Sequence, residues 1–247
     1  MSSPVKLYHE EMHRQVGYFA TWLPNSAMAL GDIGVLEAGR FRRVASLKEL
    51  GLKIPEVREG AANNMSYSAS AKRIAGASAK ASSRPLAAKA KISIQFTGQG
   101  GFVFEAVGIR HLEIADRLAL ANNMLQAFKA GRWQKDWVLV EGVYRASSAT
   151  IIVSEDSSAQ IELTAKAKVA LDTLPLADPK LGLSVSSQSG KLFHVVAKDK
   201  IHPLYSCVRV NEPFLFGKPS VQPVRGLGDE GNIEALSRPG ISDLINS

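Results

Sequence analysis

The chain has 247 residues, of which 45% are hydrophobic, and its 30 Lys and Arg against 23 Asp and Glu give a formal net charge of +7. Three Trp and nine Phe exclude a disordered chain, because disordered segments are poor in aromatic and aliphatic residues. The basic balance favours a phosphate-bearing partner, nucleic acid or anionic lipid, although a charge of this size also serves solubility alone.

The N-terminal part of the chain predicts one short helix and one strand. Residues 5–17 have helical character and end at Gly17, and residues 18–23 favour a strand that stops at Pro24. The first sixteen residues are polar and lack the apolar core of a signal peptide. No run approaches the roughly 20 apolar residues that a spanning helix needs.

Two further local features concern a cap and a cysteine. Ser46 is a candidate N-cap for a short helix over residues 47–50. Cys207 is the only cysteine, so an internal disulfide is excluded and a reducing cytoplasm is expected. Residues 204–208 favour a strand, which makes Cys207 a buried structural thiol rather than a nucleophile beside His194 or His202.

An acid-free stretch runs from residue 60 to residue 104, where no Asp or Glu occurs. Residues 61–91 within it are dominated by Ala and Ser. Its cations are Lys72, Arg73, Lys80, Arg84, Lys89 and Lys91. Residues 89–96 alternate polar and apolar, which predicts a strand with one wet face, and glycines at 98, 100 and 101 predict a turn.

The middle of the chain predicts one long helix among strands. Residues 112–129 carry apolar residues near helical spacing, with Gly131 closing the helix. Residues 102–107, 137–144 and 149–153 favour three strands. The predicted fold class is therefore α+β, with a twisted, mostly antiparallel sheet and flanking helices.

Strict alternation returns in residues 160–169. Ile161, Leu163 and Val169 share one face of this strand, whereas Lys166 and Lys168 share the other. Residues 181–186, 191–196 and 204–210 then complete the predicted sheet.

Four alternating segments suit a membrane: residues 64–80, 86–97, 159–170 and 181–196. A strand that spans a bilayer takes about 9–11 residues and alternates apolar with polar positions. Paired, the four segments would form two long hairpins, although a half-exposed antiparallel sheet gives the same alternation. The predicted lipid contacts are the six cations above with Lys166 and Lys168, and the predicted membrane-facing apolar residues are Ile92, Ile94, Phe96, Ile161, Leu163 and Val169.

After residue 211 the composition changes. Prolines and glycines interrupt regular structure, and the last stretch has four acids, Asp229, Glu230, Glu234 and Asp243, against Arg238. This predicts a basic body, residues 1–212, and an acidic tail, residues 213–247.

Two alternatives belong to other classes of function. His9-Glu10-Glu11-Met12-His13 matches the H-E-x-x-H pattern of zinc hydrolases, but its position at residue 9, with nothing before it to hold a substrate, favours a chance match. The cations from Lys72 to Lys91 suit nucleic acid, yet residues 61–91 contain a single aromatic, Tyr67, where single-strand binding normally needs several stacking rings.

The order of elements over residues 5–210 resembles that of the bacterial gasdermins, a family of pore-forming proteins. The resemblance depends on Gly17-Tyr18, on Leu50-Gly51 followed by residues 54–58, and on the small-residue region that precedes residues 92–104. After the helix, residues 137–143 resemble the family's central strand, and residues 146–151 follow it.

The resemblance implies a non-enzymatic pore-former without a cofactor and without a nucleic-acid partner. A compact monomer in the cytoplasm would be held inactive by its C-terminal segment, with Phe214, Leu215 and Phe216 docking the tail. A partner protease would remove that segment, and the freed domain would oligomerise on anionic lipid of the inner membrane and kill the cell in antiphage defence. Residues 61–100 and 158–198 would insert. Many bacterial members have a lipidated cysteine near the N-terminus, which this chain lacks, since its one cysteine is Cys207.

Overall fold

A computed structural model describes residues 4–21, 27–37, 40–77, 90–165, 176–212 and 217–225. Within these ranges lie two α-helices, α1 (Pro4–Val16) and α2 (Arg117–Lys129), and a 3-10 turn, Pro179–Leu181. The strands are β1 (Phe19–Ala20), β2 (Asp32–Glu37), β3 (Arg40–Ser46), β4 (Val57–Glu59), β5 (Asn63–Ala69), β6 (Ala71–Ala77), β7 (Ala90–Phe96), β8 (Phe102–Ile114), β9 (Val138–Ser154), β10 (Gln160–Thr164), β11 (Ser184–Ser189), β12 (Leu192–Asn211) and β13 (Ser220–Pro223). Antiparallel pairing with two helices confirms the α+β class.

The chain divides into two compact units. The first comprises the described residues within Met1–Tyr8, Ala62–Ile109 and Ala146–Ile201. The second comprises those within His9–Ala61, Arg110–Arg145 and His202–Ser247.

The second unit is built on strands in the order β1-β12-β9-β2-β3, which we call the central sheet; β13 pairs with β12. Alternate residues of these strands belong to two different apolar clusters. Leu139 and Val208 lie in one cluster, whereas Val138 and Cys207 lie in the other. Because successive side chains of a strand point to opposite faces, apolar side chains cover both faces of the central sheet.

The N-terminal helix confirms the prediction for residues 5–17. It ends where Gly17 adopts a φ of +75°, and the Gly17 amide donates to the His13 carbonyl at 2.8 Å. The strand predicted over residues 18–23 is shorter than expected, since β1 covers two residues.

The predicted helix over residues 112–129 is wrong at its beginning. Leu112 and Ile114 are strand residues of β8, paired with Glu59 and Val57 of β4. The helix begins at Arg117, because the Asp116 carboxylate accepts the Ala119 amide at 2.9 Å as an N-cap.

Two pairs of predicted strands are single long strands. The segments predicted over residues 137–144 and 149–153 merge into β9, which begins at Val138, and those over residues 191–196 and 204–210 merge into β12, which begins at Leu192. The polar residues between the apolar runs therefore do not interrupt either strand. The predicted helix over residues 47–50 is a turn, in which the Ser46 hydroxyl accepts the Glu49 amide at 3.2 Å.

Candidate functional site

Parts of the four alternating segments form one four-stranded sheet in the first unit, in the order β11-β10-β7-β6. Residues 64–69 instead lie in β5, which pairs with β8, and residues 192–196 begin β12, so both lie outside this sheet. All three neighbouring pairs are antiparallel. Strands consecutive in the chain therefore pair as β6 with β7 and as β10 with β11, and the two pairs meet between β7 and β10. The first predicted segment, residues 64–80, is divided at Ser70, where a positive φ of 50° separates β5 from β6.

The apolar face of the four-stranded sheet is set by the pairing of β7 with β10. Ile94 lies across from Ile161, and Ile92 lies across from Leu163. All four side chains are at most 1% exposed, and Phe96 continues the same face. A slip of one residue would exchange the two faces, so this burial fixes the register.

The opposite face of the sheet is polar at the same register. Glu162 pairs with Ser93, and Thr164 pairs with Lys91. The Gln160 amide donates to the Ser93 hydroxyl at 2.9 Å, and the Lys91 Nζ lies 3.9 Å from the Glu162 carboxylate. Every second residue of these strands therefore lies on the wet side, as the alternation predicts.

Three of the predicted cations, Lys72, Arg73 and Lys91, lie in the described strands of this sheet. Lys72 pairs with Gln95 of the polar face and is exposed, as is Lys91. The backbone of Arg73 pairs with that of Ile94. The remaining predicted contacts lie outside the described residues: Lys80, Arg84, Lys89, Lys166, Lys168 and Val169, together with Phe214, Leu215 and Phe216 of the tail.

A layer of buried side chains covers the apolar face. Val103 of β8 and Ile152 of β9 belong to the same apolar cluster as the isoleucines of β7 and β10. Leu176 and Leu181, which precede β11, complete the cover. In this structure the five described residues of the predicted membrane-facing set, all except Val169, therefore lie in the core of the first unit.

Three buried polar side chains bind the segment that provides these leucines. The Thr150 hydroxyl donates to the Leu176 carbonyl at 2.8 Å, and the Ser148 hydroxyl donates to the Ala177 carbonyl at 2.5 Å. The Glu105 carboxylate accepts the Leu176 amide. Sequence reasoning missed this group, although Glu105 is the first acid after the acid-free stretch and interrupts an apolar strand.

The H-E-x-x-H pattern of α1 points to packing rather than to a metal. His9 is buried, and burial, with the nearby charge of Arg40, lowers the pKa of His9 to about 4. The His13 ring stacks on the Phe19 ring at 4.4 Å. Among the described residues, no group of three or more His, Cys, Asp or Glu is placed to hold a metal ion.

The other candidate side chains are also part of the packing. Cys207 is buried, and that burial raises the pKa of its thiol well above the ordinary value, so it is an inert core thiol. The Tyr67 ring stacks against the Phe102 ring, with centroids 5.7 Å apart. Tyr67 is the single aromatic residue of the basic stretch 61–91, so the ring that could stack on a nucleic-acid base is already packed within the protein.

A further titratable group lies around Glu141 in the second unit. Burial raises the pKa of this carboxyl, and the Arg117 guanidinium, with its Nε 3.6 Å from Glu141 Oε2, opposes the rise. Tyr18, His111 and Tyr144 pack against one another with ring centroids 4.7 to 5.2 Å apart. These mutual contacts make the group a packed cluster rather than an open site.

Comparisons with known proteins include a structural likeness to a solved protein. In the part of the chain that the structure describes, no helix is both long and apolar enough to span a bilayer. No protein-family model matches the sequence, and neither does any curated protein. A solved structure of a bacterial gasdermin from Bradyrhizobium tropiciagri aligns over 91% of this chain and 93% of its own, at 14% identity and a TM-score of 0.39. It comes from the family that the sequence resembles, but an overlap this weak assigns neither family nor function.

Proposed function

We propose that this chain is a non-enzymatic pore-forming protein whose four-stranded sheet exchanges its protein cover for lipid. The observation that carries the proposal is the paired apolar face of β7 and β10, backed by a polar face in strict register. Strands that span a bilayer need this two-sided pattern over about 9–11 residues. β10 ends at Thr164, and the sequence continues the alternation to Val169.

Charge favours an anionic lipid surface as the target. The acid-free stretch contributes Lys72 and Lys91 to the exposed polar face. Juxtamembrane cations gain about 1 kcal/mol each near an anionic bilayer. Glu162 neutralises part of this charge at Lys91.

The tail supports a division that differs from the one the composition predicts. β13 lies after residue 213, yet it pairs with β12, and its Val221 is a buried member of a central-sheet cluster. All four acids of the last stretch follow Arg225. We therefore place the inhibitory part of the tail within residues 226–247 and keep β13 with the body.

The remaining steps extend this proposal. A partner protease would cut the tail, the freed body would oligomerise on the inner membrane, and the pore would kill the cell in antiphage defence. A toxic phenotype on expression of the cut form, relieved when the tail is supplied uncut, is the expected cellular result.

The test uses the full chain with a specific protease site inserted after Arg225. Cleavage is expected to release dye from vesicles that contain anionic lipid, whereas the uncut chain leaves them sealed. A second insertion after Glu212 separates β13 from the body, and cleavage there is expected to lower the stability of the central sheet as well. Cleaved protein that stays folded and monomeric while the vesicles stay sealed would refute the proposal.

A matched pair of charge variants tests the lipid surface. Lys72→Gln with Lys91→Gln removes two cations of the polar face, and Lys48→Gln with Lys129→Gln removes two exposed cations outside the four-stranded sheet. The first pair is expected to weaken vesicle binding and leakage more than the second. Equal effects would mean that net charge alone drives binding. Tight, steeply salt-dependent binding of nucleic acid by the uncut chain would instead favour the nucleic-acid alternative.

A further inference from the structure

The cover over the apolar face has two kinds of attachment. Val103 and Ile152 belong to long strands, β8 and β9, whose backbone is held in the ladder. Leu176 and Leu181 instead lie in residues 176–183, ahead of β11, where the chain forms a turn and the 3-10 turn Pro179–Leu181 rather than a strand. The segment Leu176–Leu181 is therefore the part of the cover that could leave without breaking a sheet.

Polar bonds to the flanking strands hold this segment in place. Glu105 of β8 accepts the Leu176 amide, and the hydroxyls of Ser148 and Thr150 of β9 donate to the carbonyls of Ala177 and Leu176. We call Glu105, Ser148 and Thr150 the anchoring triad. All three are nearly fully buried, and a buried polar group is costly unless it is bonded.

Packing on one side of the segment is incomplete. A cavity of about 40 Å³ lies beside Ser148 and Ala177, and Val196 and Lys198 also line it. That volume is large enough to admit water, since a single water needs about 10–15 Å³. The hydrogen bonds of the anchoring triad therefore hold an edge of the segment where apolar contact is partly missing.

We infer that the anchoring triad is a conformational lock, whose opening releases the segment Leu176–Leu181 and uncovers the apolar face of β7 and β10. Ser148 is one of the residues that line the cavity, so water there can compete for the carbonyl that its hydroxyl binds. Local opening of a few hydrogen bonds is a lower barrier than unfolding of the unit. Release by this route leaves the β7–β10 pairing intact. The lock itself is a property of the folded chain, while its consequence for membranes rests on the proposed pore-forming function.

The first test measures amide hydrogen exchange in the full chain carrying Thr150→Val, which removes one hydroxyl at nearly constant volume. Exchange of residues 176–183 is expected to accelerate by about tenfold, as the loss of one buried hydrogen bond implies. Thr164→Val, on the polar face of β10, is the matched control and should leave that segment unchanged. Equal exchange in wild type and Thr150→Val would overturn the inference.

Two further substitutions guard against a general loss of folding. Ser148→Ala should accelerate exchange of the same residues, whereas Ser147→Ala, at the exposed neighbouring position, should not. Glu105→Gln keeps an oxygen that can accept the Leu176 amide and should behave nearly as wild type, whereas Glu105→Leu should open the segment. Uniform acceleration throughout the chain in the folded variants would show a general stability effect and would contradict a local lock.

The second test adds vesicles with anionic lipid to the same uncut variants. Leakage from Thr150→Val or Ser148→Ala without cleavage is expected, at a lower rate than from the cleaved chain. Faster exchange of residues 176–183 with sealed vesicles throughout, including for the cleaved chain, would support the lock and refute the pore-forming function. Leakage from the cleaved chain with unchanged exchange in the variants would support the pore and refute the lock.

Discussion

The four-stranded sheet and the central sheet differ in how many of their faces are covered. The central sheet has an apolar cluster on each side, with Leu139 in one and Val140 in the other. Among the described residues, the four-stranded sheet has one apolar cluster, and its other face carries Lys, Gln, Glu, Ser and Thr. A sheet that must lose two clusters to rearrange is suited to remain as a frame, whereas a sheet with one cover can exchange that cover for another apolar medium.

Matched leucine substitutions should separate the two sheets most clearly. Leu139→Ala should lower the free energy of global unfolding by about 3–4 kcal/mol, because a cavity between packed clusters relaxes poorly. Leu163→Ala, at an equally buried position, should act first as faster hydrogen exchange in β6, β7, β10 and β11. Urea unfolding together with exchange by mass spectrometry tests this pair. Identical exchange patterns for the two variants would remove the distinction between the sheets.

Acid should destabilise the second unit through His9. The pKa of His9 is lowered from 6.5 to about 4 in the folded chain, so between these values the unfolded chain binds a proton that the folded chain does not. Stability therefore falls as the pH drops through this window, by at most about 3 kcal/mol when the pH is below 4. His9→Gln should flatten this part of the pH profile of thermal or urea unfolding. If the stability of His9→Gln falls with pH as steeply as that of the wild type, a group other than His9 causes the acid sensitivity.

The assignment of β13 to the frame is tested by Val221. Val221→Ala should lower the free energy of unfolding by about 2 kcal/mol, because it removes buried methyl groups from a central-sheet cluster. Val44→Ala, at an exposed position on β3, is the matched control and should change stability by less than about 0.5 kcal/mol. If the two variants are equally stable, β13 belongs with the removable tail, and the inhibitory part begins near residue 213.

The smallest expected effect concerns the ion pair on the polar face. Glu162→Gln should change stability by less than about 0.5 kcal/mol, since Lys91 and Glu162 are 3.9 Å apart and partly exposed. The same variant leaves Lys91 uncompensated and should tighten binding to anionic vesicles at low salt. Glu155→Gln, at an exposed turn outside the four-stranded sheet, removes the same charge and serves as the control. Equal tightening in both variants would assign the gain to net charge.

The sequence was informative where one physical effect decides the structure. Strict alternation in residues 92–96 and 160–164 predicted the buried face correctly, because strand geometry alone assigns alternate residues to opposite sides. The beginning of α2 was mispredicted, because Leu112 and Ile114 fit a helical period while their pairing with β4 is a long-range contact. Local spacing contains no information on such a partner.

The anchoring triad could not be predicted for a related reason. Ser148 and Thr150 stand in an apolar strand where hydroxyls are common, and their partners are the backbone carbonyls of residues 26 to 29 positions away. Glu105 was a weak sequence signal of a polar contact, since a carboxylate within an apolar run needs a bonded partner when it is buried. The identity of that partner depends on the tertiary fold.

The central claim is that lipid replaces the side chains that cover the apolar face of β7 and β10. It is tested by amide hydrogen exchange of the chain cleaved after Arg225, measured before and after anionic vesicles are added. We expect peptides covering Ala90–Phe96 and Gln160–Thr164 to change their protection from exchange when vesicles are added, while the peptide covering residues 138–143 of the central sheet keeps its protection. Unchanged protection in both regions with vesicle-bound protein, or an equal change in both, would contradict the claim that one sheet rearranges on a frame that stays folded.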